Sequence, residues 1–128
     1  MIQQVTKGIK ISVITRFEGT RFQNQRLYYT FSYHITIENK SSDTVQLLSR
    51  HWNIFDSLKS KEIVEGDGVI GKKPVLAPQQ KYTYYSHCFL TSPIGAMEGY
   101  YNMINFSNAQ TFKVKIPVFQ LIVPSSLN

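Results

Sequence analysis

Residues Tyr28–Glu38 read Tyr-Tyr-Thr-Phe-Ser-Tyr-His-Ile-Thr-Ile-Glu and alternate between two kinds of side chain along their whole length. One face of this alternation carries only aromatic and isoleucine side chains: Tyr29, Phe31, Tyr33, Ile35 and Ile37. A period of two with side chains of this kind is the pattern of a half-buried strand. The segment therefore predicts a central β-strand with one face in the hydrophobic core.

The same pattern recurs at fairly regular spacing along the rest of the chain. It predicts six further strands: Gly8–Arg16, Val45–Asp56, Glu62–Val64, Lys81–Thr91, Met97–Phe106 and Thr111–Val123. Turn signals separate them, residues 18–25 are expected to form a surface loop, and no segment shows a helical period. Seven strands ordered in this way predict an all-β fold, an antiparallel β-sandwich.

The faces of the segment Val45–Asp56 are less clearly separated, because Leu47 and Leu48 are adjacent and both apolar. We place Leu48, Trp52 and Ile54 on the inward face, and a β-bulge would reverse this assignment locally. An inward tryptophan buries a large apolar area and dominates the packing around it. Trp52 is therefore predicted to be a central core residue.

Arg50 falls on the same face as Trp52, and a buried guanidinium group requires hydrogen-bond partners. We expect its head to lie at the edge of the core, on backbone carbonyls or on an acid such as Glu65 or Asp67. His51 falls on the outward face. Together Arg50, His51 and Trp52 are interpreted as a structural clamp between this strand and the loop that follows, or as a partner surface.

The loop Gly66-Asp67-Gly68-Val69-Ile70-Gly71 matches the GxGxxG pattern of dinucleotide-binding turns. Such a site needs a helix that begins at the third glycine, and Pro74 and Pro78 prevent one here. Two interpretations remain open. The glycines serve a tight inter-strand turn through positive φ angles, or they form a backbone nest for a small anion beside two lysines. The residues of the anion interpretation are Gly66, Gly68, Gly71, Lys72 and Lys73.

The chain has 128 residues, enough for one domain with its own core, and we treat residues 1–128 as that single domain. Its only cysteine is Cys88, which favours a reducing compartment. No segment has the apolar length of a signal peptide or of a membrane span. The protein is therefore expected to be cytoplasmic and without membrane insertion.

Charge and side-chain chemistry narrow the possible functions. The formal net charge is +6, which makes anionic partners conceivable. The histidines His34, His51 and His87 form no ligand-spaced pair, and the 8 acidic residues form no matched acid and base. We therefore predict no catalysis, no metal site and no cofactor. Most aromatic residues fall on inward faces, where packing is their usual role, so no nucleic-acid binding is expected.

Four segments along nearly the whole chain, in this order, resemble the ApaG family. They are Leu47–Trp52, Gly66–Gly71 followed by Lys73–Pro78, Thr91–Tyr101 and Ile116–Phe119. The resemblance implies an immunoglobulin or fibronectin type III-like β-sandwich, and it places the glycine motif of the family on Gly66, Gly68 and Gly71. The chain departs from the family at Gln79-Gln80, where a Gly-Glu turn is common.

The resemblance also implies a small domain that is associated with cobalt resistance and magnesium efflux. Our first hypothesis is a non-enzymatic protein–protein interaction module with an unidentified protein partner. The alternative is a sensor of a small anion or nucleotide, such as pyrophosphate or a diadenosine polyphosphate, that uses the glycine loop. A cation-linked regulator is a third hypothesis, and the exposed edge strands of a sandwich make a homodimer conceivable.

Overall fold

The structure is a computed structural model that describes residues 1–127, with side chains described through Ser125. Within the described residues, nine strands and one short helix follow one another. They are β1 (Ile2–Thr6), β2 (Ile9–Gln23), β3 (Arg26–Asn39), β4 (Val45–Asp56), β5 (Glu62–Asp67), β6 (Val75–Leu76), β7 (Lys81–Leu90), β8 (Ile94–Asn105), β9 (Gln110–Ile122) and a 3-10 helix (Pro124–Leu127). No α-helix occurs within the described residues.

The strands form two sheets that face each other. The first sheet has the order β1-β2-β3-β7, and the second has the order β5-β4-β8-β9 with β6 paired to β4. Every strand pair is antiparallel. The predicted all-β antiparallel sandwich is confirmed, and the strands beyond the predicted seven are β1 and the two-residue β6.

The core lies between the inward faces of the two sheets. Four inward residues of β3 are buried, as their alternation predicts: Phe31, Tyr33, Ile35 and Ile37. Trp52 of β4 is 3% exposed, and its ring centroid lies 5.5 Å from that of Tyr33. Phe119 of β9 meets Trp52 edge to face at 5.8 Å. The predicted position of Trp52 is confirmed, and its ring lies at the centre of an aromatic cluster that joins the two sheets.

The prediction of a surface loop over residues 18–25 is wrong for most of that stretch. β2 continues to Gln23 and pairs with β3 up to the turn, where Asn24 and Gln25 have φ angles of 51° and 62°. A register shift between Phe17 and Gly19 interrupts the ladder. Both faces of this projecting hairpin are largely exposed, so its side chains carry no inward and outward alternation. Pairing with β3, which periodicity does not reveal, makes the stretch a strand.

The first half of β4 differs from the predicted faces at one position. Leu47 is fully buried, whereas Leu48 is only partly buried. The register between β4 and β8 shifts between Leu47 and Ser49, so that a bulge changes the phase of the strand there. The inward assignment of Leu48 is therefore wrong, while that of Trp52, beyond the bulge, holds.

The turn that contains Gln79 and Gln80 connects β6 to β7. Gln79 has a φ of 72°, in the left-handed region that glycine adopts at least cost. The turn is tied to the end of β3, because the amide of Gln79 donates to the carbonyl of Asn39 at 2.7 Å and the amide of Asn39 donates to the carbonyl of Gln80 at 2.9 Å. These bonds hold a glutamine in a conformation that suits glycine better.

The two lateral sides of the sandwich differ. On one side β1 and β9 lie together, and the amide of Lys115 donates to Oγ1 of Thr6 at 3.3 Å. On the other side β5 and β7 are the terminal strands of their sheets. This second side carries the glycine loop, which follows β5, and the outward side chains of β7.

Candidate functional site

The glycine loop continues β5 into a tight two-residue turn. The amide of Val69 donates to the carbonyl of Lys72 at 2.8 Å, and the amide of Lys72 donates back to the carbonyl of Val69 at 3.0 Å. Between them Ile70 and Gly71 have φ angles of 47° and 73°. Two successive left-handed residues closed by such a pair of bonds are the signature of a type I′ turn. Val69 itself is fully buried and anchors the turn to the core.

Gly68 is the glycine that the loop needs most. Its φ is 59°, and a Cβ placed on it would lie 2.2 Å from the carbonyl oxygen of Lys72. A Cβ on Gly71 would meet nothing within 4 Å, although its φ of 73° is also left-handed. Gly68 therefore permits a close approach of two backbone segments, whereas Gly71 serves only the turn conformation.

Several amide groups in and next to the loop are already bonded within the protein. The amide of Gly68 donates to the carbonyl of Leu48 at 2.9 Å, and those of Val69 and Lys72 close the turn. Within the described chain, the amides of Ile70 and Gly71 donate to no backbone carbonyl. An anion at this loop would therefore contact the tip of the turn.

Arg50 connects β4 to the start of this loop. Its Nη1 donates to the carbonyl oxygens of Asp67 at 3.0 Å and Gly68 at 2.9 Å. A Cβ on Gly66 would lie 2.9 Å from Nη2, so that glycine makes room for the guanidinium group. The expected contact between Arg50 and backbone carbonyls is present, with the carbonyl of Asp67 as acceptor. We call the residues of this contact, Arg50, Gly66, Asp67 and Gly68, the clamp; this set differs from the predicted one of Arg50, His51 and Trp52.

His51 points away from the core, as predicted, and belongs to a row of side chains on the outer face of the second sheet. Its ring stacks on that of Tyr100, with centroids 4.8 Å apart and planes 10° apart. Nδ1 of His51 lies 3.2 Å from Oε2 of Glu65 and, among the described residues, is buried without a hydrogen-bond partner. Nζ of Lys113 lies 4.5 Å from the centre of the Tyr100 ring. The structure thus separates His51 from Arg50 and Trp52, whose side chains lie on the opposite face.

A second polar anchor, which sequence reasoning missed, lies at the end of β4. Oδ2 of Asp56 accepts hydrogen bonds from the amide and the hydroxyl of Thr91, both at 2.7 Å. Oδ1 accepts from the hydroxyl of Ser92 at 2.6 Å and from the amide of Leu58 at 3.3 Å. Asp56 is the last residue of β4 in the second sheet, and Thr91 follows β7 in the first, so this cluster joins the two sheets. We call Asp56, Leu58, Thr91 and Ser92 the knot.

The electrostatics of the knot favour the charged form of Asp56. Burial by itself raises the pKa of this carboxyl group, but the hydrogen bonds from Ser92, Thr91 and Leu58 outweigh it and hold the pKa below its ordinary value of 3.8. The only signals in the sequence were an acid at the end of a strand and a Thr-Ser pair 35 positions later. Without the topology these two signals cannot be connected.

The outer face of the first sheet exposes aromatic side chains on β7. Tyr85 and Phe89 of β7 are 64% and 52% exposed. Tyr85 stacks on His34, with ring centroids 4.3 Å apart and planes 14° apart, and the guanidinium carbon of Arg21 lies 5.8 Å from the centre of the Phe89 ring. Adjoining shallow cavities run along this surface. We call it the aromatic face and define it by Arg21, His34, Tyr85, His87 and Phe89.

The described residues contain no group of three or more histidine, cysteine or acidic side chains placed to hold a metal ion. No helix among them is long and apolar enough to cross a membrane.

Comparison with known proteins identifies the family. The model of the ApaG domain matches residues 19–105. The chain is 43% identical to the ApaG protein of Vibrio cholerae over 94% of each chain, and 42% identical to that of Brucella abortus over 97% of this chain and 95% of the relative.

Solved structures agree with these sequence relatives. A structural genomics target solved by X-ray crystallography superposes with a TM-score of 0.86 at 34% identity, over 91% of this chain and 88% of that chain. The crystal structure of an ApaA protein from Bordetella pertussis superposes with a TM-score of 0.82 at 37% identity, over 91% of this chain and 94% of that chain. With a family model that covers more than half of its length and full-length relatives above 30% identity, the chain belongs to the ApaG family.

Proposed function

We propose that this protein is a non-enzymatic interaction module of the cytoplasm, and that its aromatic face binds a protein partner. The observation that carries the proposal is the exposure of Tyr85 and Phe89 on one sheet face, next to Arg21. Tyrosine and arginine are enriched among the residues that dominate binding energies in protein interfaces. Clustered exposed apolar side chains on a soluble domain mark interaction surfaces more often than chance exposure.

The geometry of the aromatic face favours binding without large reorganisation. The ring of Tyr85 is held against His34, so little side-chain freedom remains to be lost on binding. Among the described residues that line this face, Glu18 is the only acid, and it already accepts a hydrogen bond from the hydroxyl of Ser32 at 2.9 Å and lies 3.6 Å from Arg16. Arg21 is therefore available to an acidic group on the partner.

Site-specific photo-crosslinking in cells tests this proposal. A benzophenone amino acid is placed at Tyr85 and, as a matched control, at Phe106, which is 52% exposed but lies in the turn after β8. We expect a product of defined mass from Tyr85 that is lost when Arg21→Glu is added, and none from Phe106. Products that are the same at both positions, or that survive Arg21→Glu unchanged, would contradict the proposal.

We propose further that the association of the family with cobalt resistance and magnesium efflux acts through the partner of this domain. What supports this is the arrangement of the aromatic face, which suits a protein better than a hydrated cation. Calorimetric titration with Co²⁺ and with Mg²⁺ is expected to give no saturable heat. A stoichiometric isotherm with either ion would replace this proposal by direct binding.

The alternative is a sensor of pyrophosphate or of a diadenosine polyphosphate at the glycine loop. The observation in its favour is the pair of turn amides, Ile70 and Gly71, beside the exposed side chains of Lys72 and Lys73. Titration with pyrophosphate, ATP and diadenosine tetraphosphate separates the two functions. Saturable binding that Lys72→Ala/Lys73→Ala removes, and that Lys113→Ala leaves unchanged, would establish the alternative.

A further inference from the structure

Four strands lie at the edges of the two sheets, and three of these edges are covered or short. β1 and β9 lie against each other on one side of the sandwich. β5 has only 6 residues and carries the acidic side chains of Glu62, Glu65 and Asp67. Short edges and charged edges are the usual protections against pairing with another chain. β7 remains, and it has 10 residues.

β7 lacks the usual protections along its outer edge. Its ladder with β3 runs from Lys81 to Leu90 without a register shift, so no bulge twists the edge away. Its sequence contains no proline, and Lys81 is its only lysine or arginine. Among the described residues, no backbone hydrogen bond joins this edge to another segment. A long regular edge of this kind is a template for a further strand.

We propose that β7 pairs antiparallel with β7 of a second copy of this chain, about a two-fold axis at Tyr85. Such an interface is isologous, since the same strand contributes both halves. The pairing joins two four-stranded sheets into one sheet of eight strands. It goes beyond the proposed function and does not depend on it.

The side chains of β7 complement one another in this register. Tyr85 lies opposite Tyr85 of the second copy, Thr83 opposite His87, and Lys81 opposite Phe89, where the lysine stem can pack on the ring. Directly opposed residues in antiparallel strands have Cβ atoms about 4.5–5.5 Å apart, so each of these pairs is in contact. No two like charges oppose each other, and nine residues of β7, from 81 to 89, take part. Moving the axis by one residue to Tyr84 opposes Lys81 to His87 and shortens the pairing.

The second copy would also extend the aromatic face. Because the axis is perpendicular to the sheet, outward side chains stay outward, and the rings of Tyr85 and Phe89 from both copies form one continuous surface. A partner of the module would then meet a two-fold symmetric site.

Molar mass in solution tests the pairing. Light scattering or analytical ultracentrifugation of the purified protein, from micromolar to millimolar concentration, is expected to show a rise from the chain mass of 14.8 kDa towards twice that value. Tyr85→Lys places two like charges on the axis and is expected to weaken the dimer at least tenfold. The matched control Phe106→Lys, at a turn residue exposed to a degree similar to Phe89, leaves it unchanged.

A pair of double variants tests the register, and both substituted positions, Thr83 and His87, are exposed, which spares folding. Thr83→Glu/His87→Glu opposes like charges twice and is expected to abolish the dimer, whereas Thr83→Lys/His87→Glu opposes unlike charges twice and retains or tightens it. A monomer at every concentration would overturn the proposal, as would a dimer that is indifferent to Tyr85→Lys. Equal behaviour of the two double variants would overturn the register. Since no partner is present in these measurements, their failure is independent of the crosslinking result.

Discussion

The clamp and the knot are two polar anchors on the same strand, and they do different work. In the clamp a cation, Arg50, gathers carbonyl oxygens from the loop after the neighbouring strand of its own sheet. In the knot an anion, Asp56, accepts hydrogen bonds from amide and hydroxyl groups of the segment that follows β7, a strand of the opposite sheet. Asp56 is 9% exposed, whereas Arg50 is only partly buried. The glycine motif draws attention to the clamp, yet the less conspicuous knot is the one that joins the sheets.

Trp52→Ala is expected to be the most destabilising of these variants. Trp52 lies on β4 between the two anchors. Its loss is expected to lower the free energy of unfolding by about 3–5 kcal/mol, since it removes a buried ring that contacts both sheets. Urea unfolding followed by circular dichroism measures this. A loss below about 1 kcal/mol would show that the anchors, rather than the aromatic cluster, hold the sandwich together.

Asp56→Ala comes next, with an expected loss of about 2–4 kcal/mol, because it leaves the donors of Thr91 and Ser92 without their charged acceptor. The matched control is Asp67→Ala in the clamp. Arg50 bonds the carbonyl of Asp67, which the variant keeps, so the control is expected to change stability by less than about 0.5 kcal/mol. Equal losses in the two variants would remove the distinction between the knot and the clamp.

Gly68→Ala is expected to cost about 2 kcal/mol or more, since a Cβ there meets the backbone of Lys72 and the turn must shift. Gly71→Ala has the same left-handed strain without the contact and is expected to cost about 1 kcal/mol. Thermal unfolding of the two variants side by side measures the difference. A larger cost at Gly71 would mean that the turn conformation, and not the close approach, limits the loop.

Arg50→Met tests the clamp directly and is expected to cost about 1–2 kcal/mol. The variant keeps the apolar stem and loses two hydrogen bonds to carbonyls that water can partly solvate. The decisive comparison is with Asp56→Ala in the same unfolding assay. If Arg50→Met is the more destabilising of the two, then the clamp, and not the knot, is the principal anchor of β4.

The smallest expected effect is on the pH dependence of stability in acid. It distinguishes the two anchors, because the knot contains a titrating carboxylate and the acceptors of the clamp do not titrate. A carboxyl group whose pKa is lowered by folding stabilises the protein above its unfolded pKa, and this contribution is lost as the pH falls through the folded value. For Asp56 the loss is expected below its ordinary pKa of 3.8. Unfolding midpoints between pH 5 and pH 2 are expected to fall less steeply for Asp56→Asn than for the wild type.

The same acid titration of Gly68→Ala is expected to keep the wild-type slope, because the acceptors of the clamp are backbone carbonyls, which do not titrate. A shared residual slope comes from Asp43, whose pKa is lowered by hydrogen bonds from Asn105 and Ser107. A wild-type slope in Asp56→Asn would contradict the charge assigned to the knot.

A feature could be predicted from the sequence where its signal lies in neighbouring residues, and could not where it depends on contacts between residues that are distant in the sequence. Alternation is local, so β3 and the inward position of Trp52 were predictable from neighbouring residues alone. The contact of Arg50 with nearby carbonyls followed from the cost of an unpaired buried cation. The bulge that turns Leu47 inward depends on pairing with β8, more than 45 positions away, and no local pattern shows it.

The same limit explains the candidate site. A glycine pattern is conspicuous in one dimension, but only the φ angles and the closing hydrogen bonds show that it forms a hairpin turn. The aromatic face was hidden for the opposite reason. Tyr85 and Phe89 follow from the predicted alternation of β7, yet their association with Arg21 and His34 requires the order of the strands in the sheet.

Because Cys88 is buried, the rate at which its thiol is alkylated reports how often β7 opens. Its side chain is 6% exposed, and burial, reinforced by the negative charges of Glu62 and Asp56, raises the pKa of its thiol to about 12. At neutral pH the thiol is protonated and enclosed, so an alkylating reagent reacts only during the moments when the edge strand detaches. The alkylation rate of the wild-type protein is therefore a measure of how frequently the strand opens. A ligand or second chain that stabilises the edge strand would lower the alkylation rate of Cys88 without contacting that residue.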